Sequence, residues 1–182
     1  MAAERGPNRK IILSDSINAG TVKDIMQRIL DINEYDRIRN EKEKDYVVES
    51  IDLIVNSPGG AVYDGNALLS IIENSDTPVH TYCYGKAMSM GFAIFLAGKK
   101  RFVGKYATFM YHDISQPVAG SLEEHKRSVA EMERMSKQYD SFVLSKTTLI
   151  LQEKLNDYKT RVENWFIGPE EAVKLGIAHE II

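Results

Sequence analysis

Residues 79–97 read VHTYCYGKAMSMGFAIFLA, and this stretch is the most informative part of the sequence about the fold. Its first six residues are typical of a β-strand, and the apolar run Phe92–Ala97 indicates a buried helix. Ser89 therefore stands where a strand passes into a helix, at which amide N–H groups converge and stabilise negative charge. Taken alone, a serine there is more typical of an N-cap or a buried helix hydroxyl than of a nucleophile.

A second junction follows the β-rich run Ile51–Val55 and reads Asn56-Ser57-Pro58-Gly59-Gly60. Two glycines after a proline allow a sharp turn and let a ligand approach main-chain N–H groups closely. Enzymes that transfer acyl groups need such donors where a carbonyl oxygen becomes an oxyanion. An ordinary turn between a strand and a helix would explain the same residues.

A third junction is the short apolar strand Ala107–Tyr111, which ends at His112. A lone histidine at this place is usually a polar strand end, but beside a serine it can act as a general base. Because all three features fall at comparable junctions, the sequence favours a site composed of them.

Alternating strand-like and helix-like segments predict an α/β fold with a mostly parallel sheet and helices on its faces. We expect one domain over residues 1–182, with a short polar tail at 1–8. The stretch from Asn33 to Asp45 is expected to be a solvated helix end and loop, with a partner-docking insertion as the alternative. A long helix should begin at the capping box Ser121-Leu122-Glu123-Glu124 and extend over about residues 121–147.

Composition excludes several function classes. The 182 residues include 23 Lys and Arg against 26 Asp and Glu, a net charge of −3 that argues against a dedicated nucleic-acid binder. The single cysteine, Cys83, rules out an intrachain disulfide framework, and the four histidines have no metal-ligand spacing. The sequence contains no phosphate-binding glycine motif, and we expect no secretory leader. We therefore expect a cytoplasmic protein without cofactor or metal, bound to neither nucleic acid nor membrane.

Four motifs together resemble the Clp protease proteolytic subunit, ClpP. They are Asn-Ser-Pro-Gly-Gly at 56–60, Ala-Met-Ser-Met-Gly at 87–91, Met-Tyr-His at 110–112 and Gly-Pro-Glu-Glu-Ala-Val-Lys-Leu-Gly-Ile at 168–177. The likeness runs in one order from about Arg9 to the C-terminus. It implies a serine peptidase with a crotonase-like fold of repeated ββα-type units. It also implies stacked heptameric rings, up to a tetradecamer, to which AAA+ unfoldases deliver unfolded protein or peptide.

Carried over position by position, the resemblance implies a role for each matching residue. Ser89 matches the nucleophile and His112 the general base. Backbone N–H groups of Gly59 and Met90 match the oxyanion hole. The strip Gly60-Ala61-Val62 resembles the edge along which an extended substrate peptide is bound.

The family's catalytic triad has a third residue, which orients the histidine, and at this position the sequence departs from the family. Asn164 stands where the family usually has aspartate, so its amide oxygen can still accept the imidazole N–H but brings no charge. We expect a working but handicapped site. Asp157 and Glu163 are weaker alternatives for the same role.

A second departure lies before the first strand, where family members usually carry an axial loop and a helix. Here only a few polar residues precede Arg9, which weakens the inference to an unfoldase partner and to a full barrel. The long helix matches the family's handle, the helix through which two rings contact each other. The alternative explanation of its apolar stripe is packing on the chain's own core.

Other functions remain open at this point. The residues agree with three functions: an oligomeric serine endopeptidase, a weakly active or inactive ring subunit, and a crotonase-type acyl-CoA enzyme. A serine–lysine dyad of Ser89 with Lys86 is a further alternative, although we expect Lys86 to point to solvent. Cys83 is expected to be a buried structural thiol.

Overall fold

A computed structural model of the protein describes residues 6–115, 117, 119–148, 154–155, 157–158 and 164–182. Its strands are β1 (Lys10–Leu13), β2 (Ile51–Val55), β3 (Val79–Cys83), β4 (Lys86–Met88), β5 (Lys100–Val103), β6 (Thr108–Tyr111), β7 (Trp165–Ile167) and β8 (Glu180–Ile181). Its helices are α1 (Ala19–Lys42), α2 (Val62–Glu73), α3 (Met90–Leu96), α4 (Leu122–Ser145) and α5 (Pro169–Lys174). The α/β class predicted from the alternating segments is confirmed.

The larger sheet has the strand order β1-β2-β3-β5-β8, and all its neighbouring strands are parallel. Alternate residues of β2, which are Ile51, Leu53 and Val55, are completely buried. This alternation places one face of the sheet against α1, α2 and the wholly buried helix α3. The core therefore lies between that face and the helices.

The smaller sheet has the order β4-β6-β7, with β4 parallel to β6 and β7 antiparallel to it. On the outer side of β4, Ser57 forms a β-bridge with Ala87. The order across this layer is therefore the loop after β2, then β4, β6 and β7. Because of this order, the glycine pair, Ser89, His112 and Asn164 all come to the same end of the layer.

Strands β2, β3 and β6 were predicted from the sequence, whereas β4, β5 and β7 were not predicted as separate strands. Each of these has only three or four residues, too few for a period-2 pattern to stand out. The apolar stretch after Cys83 is interrupted at Gly85, where the chain leaves the larger sheet and enters the smaller one.

Helix α1 begins at Asn18, whose side chain accepts the N–H groups of Gly20 and Thr21 in a capping box. It continues to Lys42, so most of the charged stretch predicted as helix end and loop is helical. Ion pairs of Arg37 with Glu34 and Glu41 follow the i,i+3 and i,i+4 spacing that supports an exposed helix. The stretch also buries Asp36, which a purely solvated face would not.

Helix α4 has two different halves. Its N-terminal half is exposed, including Leu122 at 70% and Val129 at 47% of full exposure. Its C-terminal half packs on the body through Met135, Tyr139 and Val143, which are buried. No helix in the described ranges combines the length and apolar character required to cross a bilayer.

Candidate active site

Ser89 occupies an unusual backbone conformation at the start of α3, with φ 52° and ψ −125°. Among the described residues it is the only non-glycine with positive φ. It stands at the N-cap position, but its side chain makes no capping hydrogen bond. Its Oγ lies instead 2.8 Å from Nε2 of His112. The serine hydroxyl is therefore directed at an imidazole and not at the helix backbone.

His112 follows the last residue of β6 and is half-buried. Burial lowers the pKa of this imidazole below its usual value, and the charge of the adjacent Asp113 opposes that effect. The ring is therefore neutral at neutral pH. A neutral imidazole whose Nε2 faces a hydroxyl can accept the hydroxyl proton.

The glycine pair after Pro58 packs directly against the start of α3. A Cβ atom on Gly59, whose φ is +99°, would lie 2.8 Å from the Cβ of Ser89 and 3.2 Å from the Met90 nitrogen. A Cβ atom on Gly60, whose φ is +149°, would lie 2.3 Å from the Ile17 carbonyl oxygen. Both positions therefore require glycine, and the Gly59 backbone lies within van der Waals reach of the serine.

The N–H of Gly59 donates to the Ser57 hydroxyl, 3.1 Å away, and that hydroxyl donates to the Asp15 carbonyl oxygen at 2.6 Å. The Gly59 N–H, which was expected to be an oxyanion donor, is thus hydrogen-bonded to the Ser57 hydroxyl. Gly59 O and Ala61 N bond to Ile17 on one side of the loop. Because main-chain groups alternate in direction along extended backbone, the polar groups of Gly60 face the opposite side.

A cavity of about 50 Å³ adjoins the serine and is lined by Gly60, Val62, Ser89, Met90, His112, Ile114, Ser115 and Tyr139. Gly59 and Ala61 are not among its lining residues. In the described part of the chain, neither Gly60 N–H nor Met90 N–H donates a hydrogen bond within the protein. These two N–H groups are therefore available to a ligand in the cavity.

Asn164 immediately precedes β7 and is exposed. Within the ranges that the structure describes, it forms no hydrogen bond with His112. Of the two alternatives considered for its role, Asp157 is exposed and Glu163 falls outside the described residues.

Two other candidate groups are not part of the site. Lys86 is exposed on β4, as expected, and Ser89 Oγ is bonded to His112 instead. Cys83 is completely buried, and burial raises the pKa of its thiol to about 12. A thiol with this pKa is protonated at neutral pH and is a poor nucleophile.

Sequence reasoning did not assign a site role to Tyr139 of α4 or to Ser57. The Tyr139 hydroxyl donates to the Ser89 carbonyl oxygen at 3.0 Å, across 50 positions of sequence. Spacing carries no signal for a contact between such distant residues. Tyr139 was visible only as one member of the apolar stripe of the long helix.

A larger cavity, of about 360 Å³, lies near Glu73, Arg101 and Lys146 and contains none of the predicted site residues. Three of its charged groups are engaged within the protein, because Glu73 pairs with Lys146 and the Arg101 guanidinium bonds to carbonyl oxygens. In the described ranges, no cluster of His, Cys, Asp and Glu suits a metal ion. The chemistry of the molecule therefore centres on Ser89.

Comparison with known proteins places the chain among Clp proteases. The Clp protease family model matches residues 6–182. The chain is 32% identical over 138 residues to the ATP-dependent Clp protease proteolytic subunit of Deinococcus radiodurans, which covers 74% of this chain and 65% of that protein. It is 30% identical over 136 residues to proteolytic subunit 2 of Chlamydia pneumoniae, covering 74% of this chain and 66% of that protein. The chain thus matches slightly less than two thirds of the length of these relatives.

The fold is also similar to a solved structure, that of an asparagine-to-aspartate mutant of ClpP1 from Listeria monocytogenes. The TM-score is 0.79 at 22% sequence identity, with 96% of this chain and 91% of the other covered. At this sequence identity the structural similarity shows the fold alone.

Proposed function

The chain belongs to the Clp protease family, and from this premise we propose that it is a serine endopeptidase that acts through an acyl-enzyme. The observation that carries the proposal is the 2.8 Å contact of Ser89 Oγ with His112 Nε2, formed in an environment that keeps the imidazole neutral. A serine used only as a cap would direct its hydroxyl to the helix backbone.

In the acylation step, His112 accepts the Ser89 proton while Oγ attacks the carbonyl carbon of the scissile peptide bond. The tetrahedral intermediate collapses as the imidazolium gives its proton to the leaving amine, and the C–N bond breaks. A water molecule then attacks the ester, with His112 as the base, and Ser89 is released. Every proton that leaves a nucleophile in this cycle is returned to a leaving group.

We assign the oxyanion hole to the N–H groups of Met90 and Gly60, and this assignment replaces the expected pair of Met90 and Gly59. Both assigned N–H groups border the cavity beside Ser89 and lack acceptors in the described chain, whereas Gly59 N–H is bonded to Ser57. Main-chain donors fixed before the reaction stabilise the developing oxyanion without reorganisation.

The substrate of this site is an extended peptide. Gly60 and Val62 of the predicted strip line the cavity, whereas Ala61 bonds to Ile17 and supports the strip from behind. A peptide recognised through main-chain groups of an edge is bound with little dependence on sequence. We propose Asn164 as the group that orients His112, since the antiparallel register of β6 and β7, extended by one step beyond Tyr111 and Trp165, sets Asn164 opposite His112.

We also propose that the chain assembles into a ring and that rings stack through α4. The exposed half of α4, with Leu122 and Val129 at its surface, offers apolar area for such a contact. Seven-fold symmetry, an unfoldase partner and a cytoplasmic location are extensions of this proposal. Mass in solution, measured by light scattering together with hydrolysis of a fluorogenic peptide, tests it, and an active monomer would contradict the assembly.

The peptidase proposal is tested by labelling with a fluorophosphonate followed by intact mass measurement. We expect one label per chain at Ser89, no label in Ser89→Ala, and strongly slowed labelling in His112→Ala. Lys86→Ala serves as the matched control, because this exposed side chain lies outside the proposed machinery. Labelling that is unchanged in His112→Ala would contradict the proposal.

A further inference from the structure

We propose that the Tyr139 hydroxyl is a positioning group. It fixes the orientation of the peptide bond between Ser89 and Met90, and therefore the direction of the Met90 N–H, which is an oxyanion donor of the proposed site. The inference rests on the proposed peptidase function. It begins with the backbone of Ser89, whose φ of 52° is a conformation that non-glycine residues rarely adopt. Such a conformation persists only when surrounding contacts hold it in place.

The contacts that hold it can be identified. The Ser89 N–H donates to the Met110 carbonyl oxygen at 2.8 Å, in the strand that leads to His112. From within α3, the Ser89 carbonyl oxygen accepts the Phe92 N–H at 2.9 Å and the Ala93 N–H at 3.4 Å. The Tyr139 hydroxyl, 3.0 Å from the same oxygen, is the side-chain donor to this peptide and comes from a different helix.

The carbonyl of Ser89 and the N–H of Met90 belong to one peptide unit, which is planar and trans. Their directions are therefore opposite and linked, so a donor that holds the carbonyl oxygen also sets where the N–H points. A hydrogen bond to the oxygen further polarises the unit and strengthens its N–H as a donor. Tyr139 thus acts on the oxyanion without touching the substrate's reacting atoms.

The Tyr139 ring is itself fixed. It is buried and stacks on the Tyr111 ring at a centroid distance of 5.4 Å and an interplanar angle of 17°. The Tyr111 hydroxyl donates to Asp140, the next residue of α4, at 2.5 Å. The two stacked tyrosines therefore bind α4 both to the strand that precedes His112 and to the peptide that follows Ser89.

This arrangement supplies a matched pair of substitutions. Tyr139→Phe removes the hydroxyl that bonds to Ser89, and Tyr111→Phe removes the neighbouring hydroxyl, which bonds to Asp140; both leave the stacked rings in place. In Tyr139→Phe the Ser89 carbonyl still accepts from Phe92, so no buried acceptor is left without a donor. We therefore expect the thermal midpoint of Tyr139→Phe to remain close to that of the wild type.

The test measures kcat and KM for a fluorogenic peptide and the Ki of a peptide aldehyde, whose adduct places an oxyanion in the hole. For Tyr139→Phe we expect kcat to fall about 3- to 10-fold with KM unchanged, the effect of one neutral hydrogen bond. Ki should rise by the same factor, because a group that acts on the oxyanion affects the adduct and the transition state alike. Tyr111→Phe should change kcat less than twofold.

An unchanged kcat in Tyr139→Phe, or an equal loss in both variants, would overturn the inference, since a general packing effect would reach both. A rise in KM alone would overturn it as well. These outcomes are separate from a failure of the proposed function, in which the wild type itself would neither hydrolyse the peptide nor be labelled at Ser89. That result would remove both proposals together.

Discussion

Tyr111 and Trp165 form the last pair of the smaller sheet, immediately before His112 on one strand and immediately after Asn164 on the other. The antiparallel ladder of β6 and β7 ends with Tyr111 opposite Trp165, and one further step sets His112 opposite Asn164. Opposite residues of an antiparallel pair have their side chains on the same face and close together. The register therefore favours the proposed place of Asn164 on the side of the imidazole, although no hydrogen bond joins the two side chains within the described residues.

We predict that Asn164→Asp raises kcat. A carboxylate at this position would accept the imidazole Nδ1–H and stabilise the imidazolium in the transition state. In trypsin-like proteases the reverse exchange lowers turnover by about 10⁴-fold, but an amide free to choose its orientation loses less. We expect a gain of about tenfold, measured with a fluorogenic peptide.

Asn164→Ala is the matched control and should lower kcat, because it removes the amide oxygen that would accept the imidazole N–H. If assembled Asn164→Asp is no faster than the wild type, Asn164 is not the group that orients His112.

The pH dependence of kcat/KM should follow the His112 pKa. Burial lowers this pKa below its ordinary value of 6.5, so the imidazole stays neutral to a more acidic pH. The acidic limb of the profile should therefore have its midpoint below 6.5. A midpoint at or above this value would contradict the environment described for His112.

Asp113 acts on the same titration in the opposite direction. Its charge raises the His112 pKa, so Asp113→Asn should move the acidic limb to still lower pH. It should also lower the plateau, because the imidazolium formed during catalysis loses a stabilising charge. Ser136→Ala removes a hydroxyl that donates to Asp113 at 3.1 Å but keeps the charge, so its acidic limb should stay near that of the wild type. A shift toward higher pH in Asp113→Asn would be the opposite of this expectation.

Gly59→Ala should destabilise the fold and reduce activity together. A Cβ atom there would lie 2.8 Å from both the Ser89 Cβ and the Met88 carbonyl oxygen, at a φ of +99°. Overlap with backbone and strain at positive φ together should lower the free energy of unfolding by about 2–4 kcal/mol. Denaturant titration with a simultaneous assay checks both effects.

Gly168→Ala provides the comparison for that measurement. A Cβ atom at Gly168 would meet nothing within 4 Å, and φ there is −83°. Its free energy of unfolding should change by less than about 1 kcal/mol. Equal effects of the two substitutions would show that crowding at Ser89 is not the cause.

Asp36→Asn should lower stability at neutral pH. Asp36 is buried, which raises its pKa, but hydrogen bonds from Arg9, Thr77 and Tyr46 outweigh burial and leave the pKa below its usual range. Breaking such a buried charged network costs about 3 kcal/mol. Because the folded-state pKa is the lower one, this stabilisation is present above the unfolded-state value near 3.8 and is lost as the pH falls below it.

The thermal midpoints of wild type and Asp36→Asn should therefore converge as the pH is lowered through this range. Asp31→Asn changes an exposed carboxylate of the same helix and should leave stability nearly unchanged. A difference between Asp36→Asn and wild type that is the same at pH 3 and pH 7 would refute the linkage.

Much of the architecture was predictable because its signals are local. Strand β2 alternates buried and half-buried residues, α2 and α4 have helical periodicity, and capping boxes mark the starts of α1 and α4. The short strands β4 and β7 were missed, since three residues are too few for periodicity and their pairing is with distant segments. The length of α1 was underestimated because exposed ion pairs carry no apolar stripe.

The candidate site was likewise predictable only where its signals are local. Ser89 and His112 could be named from motifs, because a hydroxyl at a strand-to-helix junction and a histidine at a strand end are visible in one dimension. Gly59 was expected as the oxyanion donor, but its N–H is bonded to the Ser57 hydroxyl, and Gly60 borders the cavity. We therefore propose Gly60 as the donor, because the direction of each backbone N–H depends on the loop conformation, which spacing does not encode.

The sequence by itself predicted the fold class and placed Ser89 and His112 at junctions suited to a nucleophile and a base, because residue types and periodicity reflect local conformational preference and the burial of apolar side chains. The asparagine at position 164 was marked as a departure by the resemblance to the family. Only the tertiary structure decided that the Ser57 loop, β4, β6 and β7 lie side by side, and that Tyr139 bonds to the Ser89 carbonyl oxygen. Those relations depend on long-range packing, in which segments distant along the chain are brought together by a shared core.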